Sequence, residues 1–173
     1  SVCWFRDMTP KLPQIDFASD ELKLEGASTV SQEQFIARPR AEVFEFFSEP
    51  RNLERLTPPW LNFEIVEIPE QLSEGALIKY KLRLHGLTIH WTTRIEDWSP
   101  DTGFVDTQIA GPYSMWHHTH EFEEVEGGTL VRDLVRYRVP FGPLGEVIRR
   151  AMVAPDTKKI FEFRREMLEA EFS

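Results

Sequence analysis

The stretch that decides the fold is RPRAEVFEFFSEPRNLERLTPPW, residues 38–60. Pro39 is well placed in the first turn of a helix. The apolar residues that follow recur at helical spacing: Val43, Phe44 and Phe47. Pro50 ends this helix, and residues 51–57 predict a second short helix before Pro58. The sequence therefore predicts two consecutive short helices.

On both sides of this stretch the pattern is typical of β-strands. STVSQEQFIA, residues 28–37, places β-branched and aromatic residues in a polar background. Six more strand-like segments follow the helices, at about residues 62–68, 75–85, 87–98, 103–110, 114–125 and 129–139. Short breaks that contain glycine or proline separate them, which favours antiparallel hairpins.

The C-terminal segment, from about Pro143 to Ser173, is predicted to be helical, with a bend expected near Pro155. A helical projection gathers its apolar residues on about half the circumference: Ile160, Phe161, Phe163, Met167, Leu168 and Phe172. Arg164 projects into the middle of this face, where an unpaired guanidinium would be very costly. We therefore expect Arg164 to meet an acid, water or a polar cavity.

Together these elements predict an α+β domain over residues 28–173, in which a seven-stranded antiparallel sheet curves around a long C-terminal helix. Residues 1–27 show no sustained period and are interpreted as an N-terminal extension. Because a strongly bent sheet that closes on one helix leaves room between them, we expect an internal cavity.

This order of elements resembles the helix-grip fold of the START-related, or SRPBCC, superfamily, over about residues 28–172. Three segments are similar to its bacterial polyketide cyclase/dehydrase-like branch: residues 38–60, FVDTQIAGPYSMWHHTHEFEEVEGG (104–128) and VPFGPLG (139–145). That superfamily includes carriers, sensors and enzymes. The resemblance thus implies a fold and a ligand-binding domain without selecting one activity.

The strand SMWHHTHEF, residues 114–122, is the most informative segment for a site. Alternate residues of a strand share a face. A tight turn at Gly127-Gly128 predicts that Phe122 lies opposite Asp133. Two sets then form one face: Trp116, His118, His120 and Phe122, with Val131, Asp133, Val135 and Tyr137. The arginines of the last strand occupy the other face, so we expect the histidine face to be concave.

Three interpretations of His118 and His120 remain open. They are hydrogen-bonded to Asp133 or Tyr137 in a partly wet interior, or they recognise a polar group of a ligand, or they form a metal site or a general acid/base. A strong metal site needs a third protein ligand, and Asp133 or Asp106 could serve. The spacing does not demand it, so no metal and no cofactor are predicted.

Other residues complete the candidate site. Asp106 and Gln108 share a face, but a one-residue slip across Gly111-Pro112 would turn both away from the cavity. Trp91 belongs to an apolar set that is core or ligand platform: Leu87, Ile89, Trp91, Thr93 and Ile95. The ligand-binding candidates are Trp91, Asp106, Gln108, Trp116, His118, His120, Asp133, Tyr137 and Arg164. The loop around Trp60 and residues 141–144 are candidates for the entrance.

The leading hypothesis is the binding or carrying of a small hydrophobic ligand: a lipid, isoprenoid, polyketide or aromatic compound. One alternative is a cyclase/dehydrase-type enzyme in which His118 or His120 moves a proton and Arg164 stabilises negative charge. Arg164 could instead form a structural salt bridge with an interior acid, or it could be a clamp for a carboxylate or enolate-like oxygen. A second alternative is a protein-interaction module.

Composition excludes other classes of function. The net charge of −9 disfavours nucleic acid as a partner. No run of about 18 apolar residues predicts a membrane span, and the N-terminal residues do not resemble a signal peptide. The one cysteine, Cys3, favours a reducing compartment and thus the cytoplasm. The sequence does not predict an oligomeric state.

Overall fold

The computed structural model describes residues 26–173, so the predicted N-terminal extension lies almost entirely outside the described residues. The described chain begins with β1 (Ser28–Ile36), followed by α1 (Arg40–Ser48), α2 (Asn52–Leu56) and a 3₁₀ turn at Pro59–Leu61. Six strands come next: β2 (Glu64–Glu67), β3 (Leu77–Leu84), β4 (Leu87–Ser99), β5 (Gly103–Ala110), β6 (Met115–Val125) and β7 (Gly128–Arg138). The chain ends with α3 (Gly142–Ile148), a π-helical turn (Arg149–Val153) and α4 (Ala154–Glu171).

All seven strands form one antiparallel sheet in the order β1-β7-β6-β5-β4-β3-β2. Strands β2 to β7 follow one another as a meander, and α1 and α2 carry the chain from β1 at one edge to β2 at the other. The predicted seven-stranded antiparallel sheet with two short helices after the first strand and a long C-terminal helix is confirmed.

The helix α1 closes one end of the fold because its apolar residues fall on one side. Val43, Phe44 and Phe47 are buried, as their helical spacing predicts. The rings of Phe44 and Phe47 lie 5.4 and 5.0 Å from the ring of Phe122 on β6, in edge-to-face contacts that aromatic pairs prefer. Leu168 of α4 joins the same core.

The pairing of β6 with β7 differs from the prediction. Phe122 lies opposite Val131, and His120 lies opposite Asp133, so the predicted pair Phe122–Asp133 is wrong by two residues. Because side chains alternate with a period of two, a shift of two residues leaves every side chain on its predicted face. The concave set of alternate residues on β7 is accordingly buried: Val131, Asp133, Val135 and Tyr137.

The two glycines of this hairpin explain the shift. Gly127 has a φ of +81° and makes the turn, a conformation that glycine adopts without strain. Gly128 is already the first residue of β7, where a Cβ would lie 2.2 Å from the carbonyl oxygen of Ile36 on β1. The second glycine therefore permits the close approach of two strands and takes no part in the bend.

The C-terminal helix departs from regularity just before Pro155. A π-helical turn connects α3 to α4, and Pro155, which has no N–H to donate to the preceding turn, is the second residue of α4 directly after it. Along α4, Thr157, Phe161 and Leu168 are buried. Within residues 26–173, no helix combines the length and the hydrophobicity needed to cross a bilayer.

Candidate functional site

A cavity of about 490 Å³ lies between the concave face of the sheet and α4. Strands β3 and β4 contribute alternate residues to its wall, among them Leu82, Leu84, Leu87, Ile89 and Trp91. Leu87, Ile89 and Trp91 belong to the apolar set that the period-two pattern predicted for one face of β4. Phe161 and Ile160 of α4 cover the opposite side, so aromatic and aliphatic side chains dominate this part of the cavity.

Three strands bring a polar cluster to another part of the wall. Asp106 on β5 lies opposite His118 on β6, and His120 on β6 lies opposite Asp133 on β7. His118 Nε2 is 2.9 Å from Asp133 Oδ1, and His120 Nε2 is 2.6 Å from Asp106 Oδ2. Both distances are those of hydrogen bonds. Asp106, His118 and His120 line the cavity, whereas Asp133 lies behind the two rings.

Each imidazole in fact lies between the two carboxylates. His118 Nδ1 is 3.3 Å from Asp106 Oδ2, and His120 Nδ1 is 2.9 Å from Asp133 Oδ1. Neither of these contacts has the geometry of a hydrogen bond, and His120 Nδ1 is buried without one. The two rings lie close together, with their centroids 3.8 Å apart and their planes tilted by 34°.

Arg164 of α4 completes the cluster from the opposite wall. Its Nη2 atom is 3.8 Å from Asp133 Oδ1, and its guanidinium carbon is 5.3 Å from the centre of the Phe47 ring. The expectation that Arg164 meets an acid is confirmed. The long distance leaves the guanidinium only partly satisfied, and its Nε is buried without a hydrogen-bond partner. Because Arg164 also lines the cavity, it can donate to a bound molecule.

Burial and neighbouring charges shift the pKa values of the cluster residues in different directions. Burial by itself would raise the pKa of Asp133, but the charge of Arg164, the hydrogen bond with His118 and the nearby ring of His120 outweigh it and hold that pKa well below its usual range. Burial and the charge of His120 lower the pKa of His118. Burial also opposes the charged form of His120, yet its hydrogen bond to Asp106 and the nearby carboxylate of Asp133 outweigh burial and raise its pKa. The two neighbouring histidines thus favour opposite states.

The other predicted cavity residues divide into two groups. Trp91 and Trp116 line the cavity, with their rings 5.3 Å apart in an edge-to-face contact. Trp91 also stacks on Tyr80 at 5.8 Å, and its indole Nε1 is buried without a hydrogen-bond partner.

Three predicted ligand-binding residues do not line the cavity: Gln108, Asp133 and Tyr137. Gln108 lies at the end of β5, where its amide donates to the Tyr113 carbonyl at 2.7 Å and accepts from the Tyr113 N–H at 3.2 Å. Tyr137 is 1% exposed and packs beneath Trp116, with ring centroids 6.0 Å apart. Gln108 thus stabilises the turn and Tyr137 packs in the core, and neither forms part of the cavity wall.

Sequence reasoning missed the aromatic residue that supports His120. The ring of Phe104 on β5 stacks on His120 at 4.5 Å and lines the cavity. The signal was available, because Phe104 and Asp106 are alternate residues of one strand and must share a face.

The exposed lining residues mark the mouth of the cavity. Leu87 and Phe141 contribute to the wall although they are 70% and 72% exposed. Phe141 belongs to the segment predicted to form the entrance. Trp60, also predicted there, packs on Phe163 at 5.6 Å, and its neighbour Leu61 lines the cavity in its place.

Comparisons with known proteins agree with this architecture. A family model described as polyketide cyclase/dehydrase and lipid transport matches residues 27–173. A search of the curated proteins finds no match. Among solved structures, the Zhui aromatase/cyclase from Streptomyces sp. R1128 is similar with a TM-score of 0.67 and 14% identity, covering 84% of this chain and 93% of that one.

Two further solved structures have the same fold. Protein CV1439 from Chromobacterium violaceum has a TM-score of 0.66 and 15% identity, over 84% of this chain and 97% of that one. A nucleoside-diphosphate sugar epimerase from Corynebacterium glutamicum has a TM-score of 0.59 and 24% identity, over 80% of this chain but only 28% of that one. At these identities the likeness is one of fold.

Proposed function

The chain belongs to the polyketide cyclase/dehydrase and lipid transport family, and we propose that it binds or carries a small hydrophobic molecule in the cavity between its sheet and α4. The ligand class is a lipid, isoprenoid, polyketide or aromatic compound. The observation that carries the proposal is the cavity of about 490 Å³, walled by aliphatic and aromatic side chains with one polar cluster. Ligand sites typically combine this size range with a few convergent polar groups.

The polar cluster suggests how such a ligand is oriented. Arg164 has donors that Asp133 does not satisfy, and it lines the cavity beside His118 and His120. An oxygen of the ligand, above all a carboxylate or enolate oxygen, would accept from the guanidinium in a charge-assisted hydrogen bond. The apolar remainder would lie along Leu82 and Ile89. The proposed ligand is thus amphipathic, with its polar end at Arg164.

Two fluorescent probes that differ in one charge test this proposal. N-phenyl-1-naphthylamine is neutral, and 1-anilinonaphthalene-8-sulfonate adds an anionic group to the same ring system. Both should bind with one probe per chain. In Arg164→Met, the affinity for the sulfonate should fall by about tenfold or more, since a hydrogen bond to a charged group contributes about 1.5–3 kcal/mol. The affinity for the neutral probe should stay within about twofold.

The matched control is Arg165→Met, because Arg165 is the next residue on α4 but is exposed and donates to the backbone of Glu33. Near-ultraviolet circular dichroism verifies that each variant retains its tertiary structure. A folded protein that binds neither probe would refute the cavity proposal. Equal losses in Arg164→Met and Arg165→Met would refute the orientation.

One observation favours a second candidate function, an enzyme of the cyclase/dehydrase type. Two histidines, each hydrogen-bonded to a carboxylate, line the cavity next to a guanidinium, and such groups can move a proton and stabilise negative charge at a carbonyl compound. The double variant His118→Ala/His120→Ala should then abolish dehydration of a β-hydroxyketone while it still binds N-phenyl-1-naphthylamine. Unchanged turnover in this variant would reject the mechanism.

The proposal includes a location in the cytoplasm. Cys3 is the one cysteine, so no intrachain disulfide can stabilise the protein in an oxidising compartment. Fractionation of the source cells should recover the protein with cytosolic markers, and recovery with membrane markers would contradict this location.

A further inference from the structure

We propose that Asp106, His118 and His120 form a binding site for one divalent first-row transition metal ion in the wall of the cavity. One ligand atom from each of these residues lies within 4.8 Å of the others. Across residues 26–173, this is the one group of at least three potential ligands that meets this criterion. The sequence predicted no metal, because nothing in the spacing required a third ligand beside the two histidines. The pairing of β5 with β6 supplies that ligand.

The three ligands are held on rigid elements. His118 and His120 are two residues apart on β6 and therefore share its concave face. Asp106 is paired with His118 across the β5–β6 ladder. Both histidines are at most 6% exposed, and all three side chains line the cavity. Three protein ligands that open onto a cavity leave a coordination position for water or for a bound molecule, as in catalytic metal sites.

Asp133 has the position of a second-layer carboxylate. In both rings one nitrogen lies near Asp106 and the other near Asp133, at distances between 2.6 and 3.3 Å. A histidine that binds a metal through one nitrogen commonly donates its other N–H to a carboxylate, which fixes the ring and its tautomer. Asp133 does not line the cavity; it is hydrogen-bonded to His118 Nε2 and lies 2.9 Å from His120 Nδ1.

Hydrogen bonds within the cluster satisfy only part of it. Of the four nitrogen–oxygen contacts, only His118 Nε2–Asp133 and His120 Nε2–Asp106 are hydrogen bonds. The Nδ1 atoms of both rings lie near a carboxylate oxygen without a hydrogen bond to it. A metal ion beside Asp106 would be bound by His118 Nδ1 and His120 Nε2, the ring nitrogens nearest to that carboxylate.

The ligand set also indicates the class of metal. Two imidazoles and one carboxylate suit Zn²⁺, Fe²⁺ or Co²⁺, whereas Mg²⁺ and Ca²⁺ prefer sites made of oxygen atoms. With a divalent ion, two carboxylates and Arg164, the cluster carries one net positive charge. That charge would attract an anionic oxygen from the cavity.

The experiment uses the full chain after removal of metal by chelation. Zn²⁺ is titrated calorimetrically and Co²⁺ by visible absorption. We expect one ion per chain, with no comparable binding of Mg²⁺. His118→Ala, His120→Ala and Asp106→Asn should each lower the Zn²⁺ affinity by more than about 100-fold, and Asp133→Asn by about 10–100-fold, the range for outer carboxylates.

The control variant is His90→Ala, because His90 is exposed on β4 and would report adventitious binding to surface histidines. If the ligand variants do not fold, the Co²⁺-loaded wild-type protein still provides a test, since its proton spectrum should contain two hyperfine-shifted imidazole N–H signals. The inference is overturned if the folded wild-type protein binds no stoichiometric ion, if those signals are absent, or if His90→Ala removes the binding. Binding of N-phenyl-1-naphthylamine to the same samples tests the cavity separately.

Discussion

At both ends of the cavity, alternate strand residues point inward, but one end is lined by apolar side chains and the other by charged and polar ones. At the apolar end, alternate residues of β3 and β4 such as Leu82 and Ile89 face inward. At the polar end, alternate residues of β5 and β6 such as Asp106 and His120 do the same. In both sets the inward direction of the side chains follows from strand alternation alone, whether the residues are apolar or polar. The two ends differ only in the side chains that they carry, and hence in the cost of burial.

That difference indicates which end is retained for function. Burial of an aliphatic side chain stabilises the fold in proportion to the area removed from water. Burial of the two carboxylates, two histidines and Arg164 requires that each group keep its partner, because an unpaired buried charge is strongly destabilising. A hydrophobic core of the same size would not need these groups. The polar end is therefore where we expect the protein to give up stability for activity.

The largest expected effect comes from breaking the polar end. Asp133→Ala removes the acceptor of His118 and the counter-charge of Arg164, and it should lower the free energy of unfolding by roughly 3–5 kcal/mol. Urea denaturation measures this value. Glu124→Ala, on an exposed residue of the same strand as His118, should change it by less than about 0.5 kcal/mol. If the two variants are equally stable, the buried charges of the polar end do not contribute measurably to the free energy of unfolding.

A polar group transplanted to the apolar end should reduce ligand affinity. Ile89→Asn places an amide without a partner in the wall, and it should weaken binding of N-phenyl-1-naphthylamine by about tenfold, equivalent to about 1.4 kcal/mol. Thr88→Asn is the matched control, since Thr88 is the preceding residue of β4 and is exposed. Fluorescence titration compares the two. Equal affinities would show that the probe does not contact this end.

The two carboxylates of the polar end should differ from each other. Their side chains are 21% exposed in Asp106 and 5% exposed in Asp133. In metal-free protein, Asp133→Asn should therefore cost about 1 kcal/mol more stability than Asp106→Asn, because a buried group that loses its partner pays more desolvation. Urea denaturation of both variants in the presence of a chelator gives the order. A reversed order would mean that Asp106 is the structural carboxylate.

The smallest effect on stability is expected at Trp91. Trp91 Nε1 is buried without a hydrogen-bond partner, so Trp91→Phe removes a polar group that is already unsatisfied. The smaller ring buries less apolar area, which destabilises the fold, whereas the loss of an unsatisfied N–H stabilises it. The free energy of unfolding should therefore change by less than about 1 kcal/mol. A loss above about 3 kcal/mol in urea denaturation would indicate that the indole nitrogen has a partner that stabilises it.

The elements of the fold could be predicted because each one is encoded locally. Val43, Phe44 and Phe47 at helical spacing, with prolines at both ends of the segment, predicted α1. The alternation from Leu87 to Ile95 predicted β4 and its inward face. Short glycine and proline breaks predicted the antiparallel meander. Each of these signals depends on residues within a few positions of one another.

The site could be predicted only in part because it depends on pairing between strands. His118 and His120 share a face by alternation alone, but the place of Asp106 required the register across Gly111-Pro112. Gln108 shares a face with Asp106 and yet stabilises the turn through Tyr113. Tyr137 is on the concave side but is covered by Trp116. Strand alternation decides whether a side chain faces the interior. Whether that side chain also lines the cavity depends on which other side chains pack over it.

By itself the sequence determined the order of helices and strands, the inward faces of β4, β6 and β7 and the presence of Arg164 on the apolar face of the last helix. Local spacing decides these features, since the period of a helix or a strand determines on which side of the element each side chain lies. Only the tertiary structure decided that Asp106, His118, His120, Asp133 and Arg164 meet in one cluster. These residues are up to 58 positions apart, from Asp106 to Arg164, and distances of a few ångströms between them depend on strand register and helix packing.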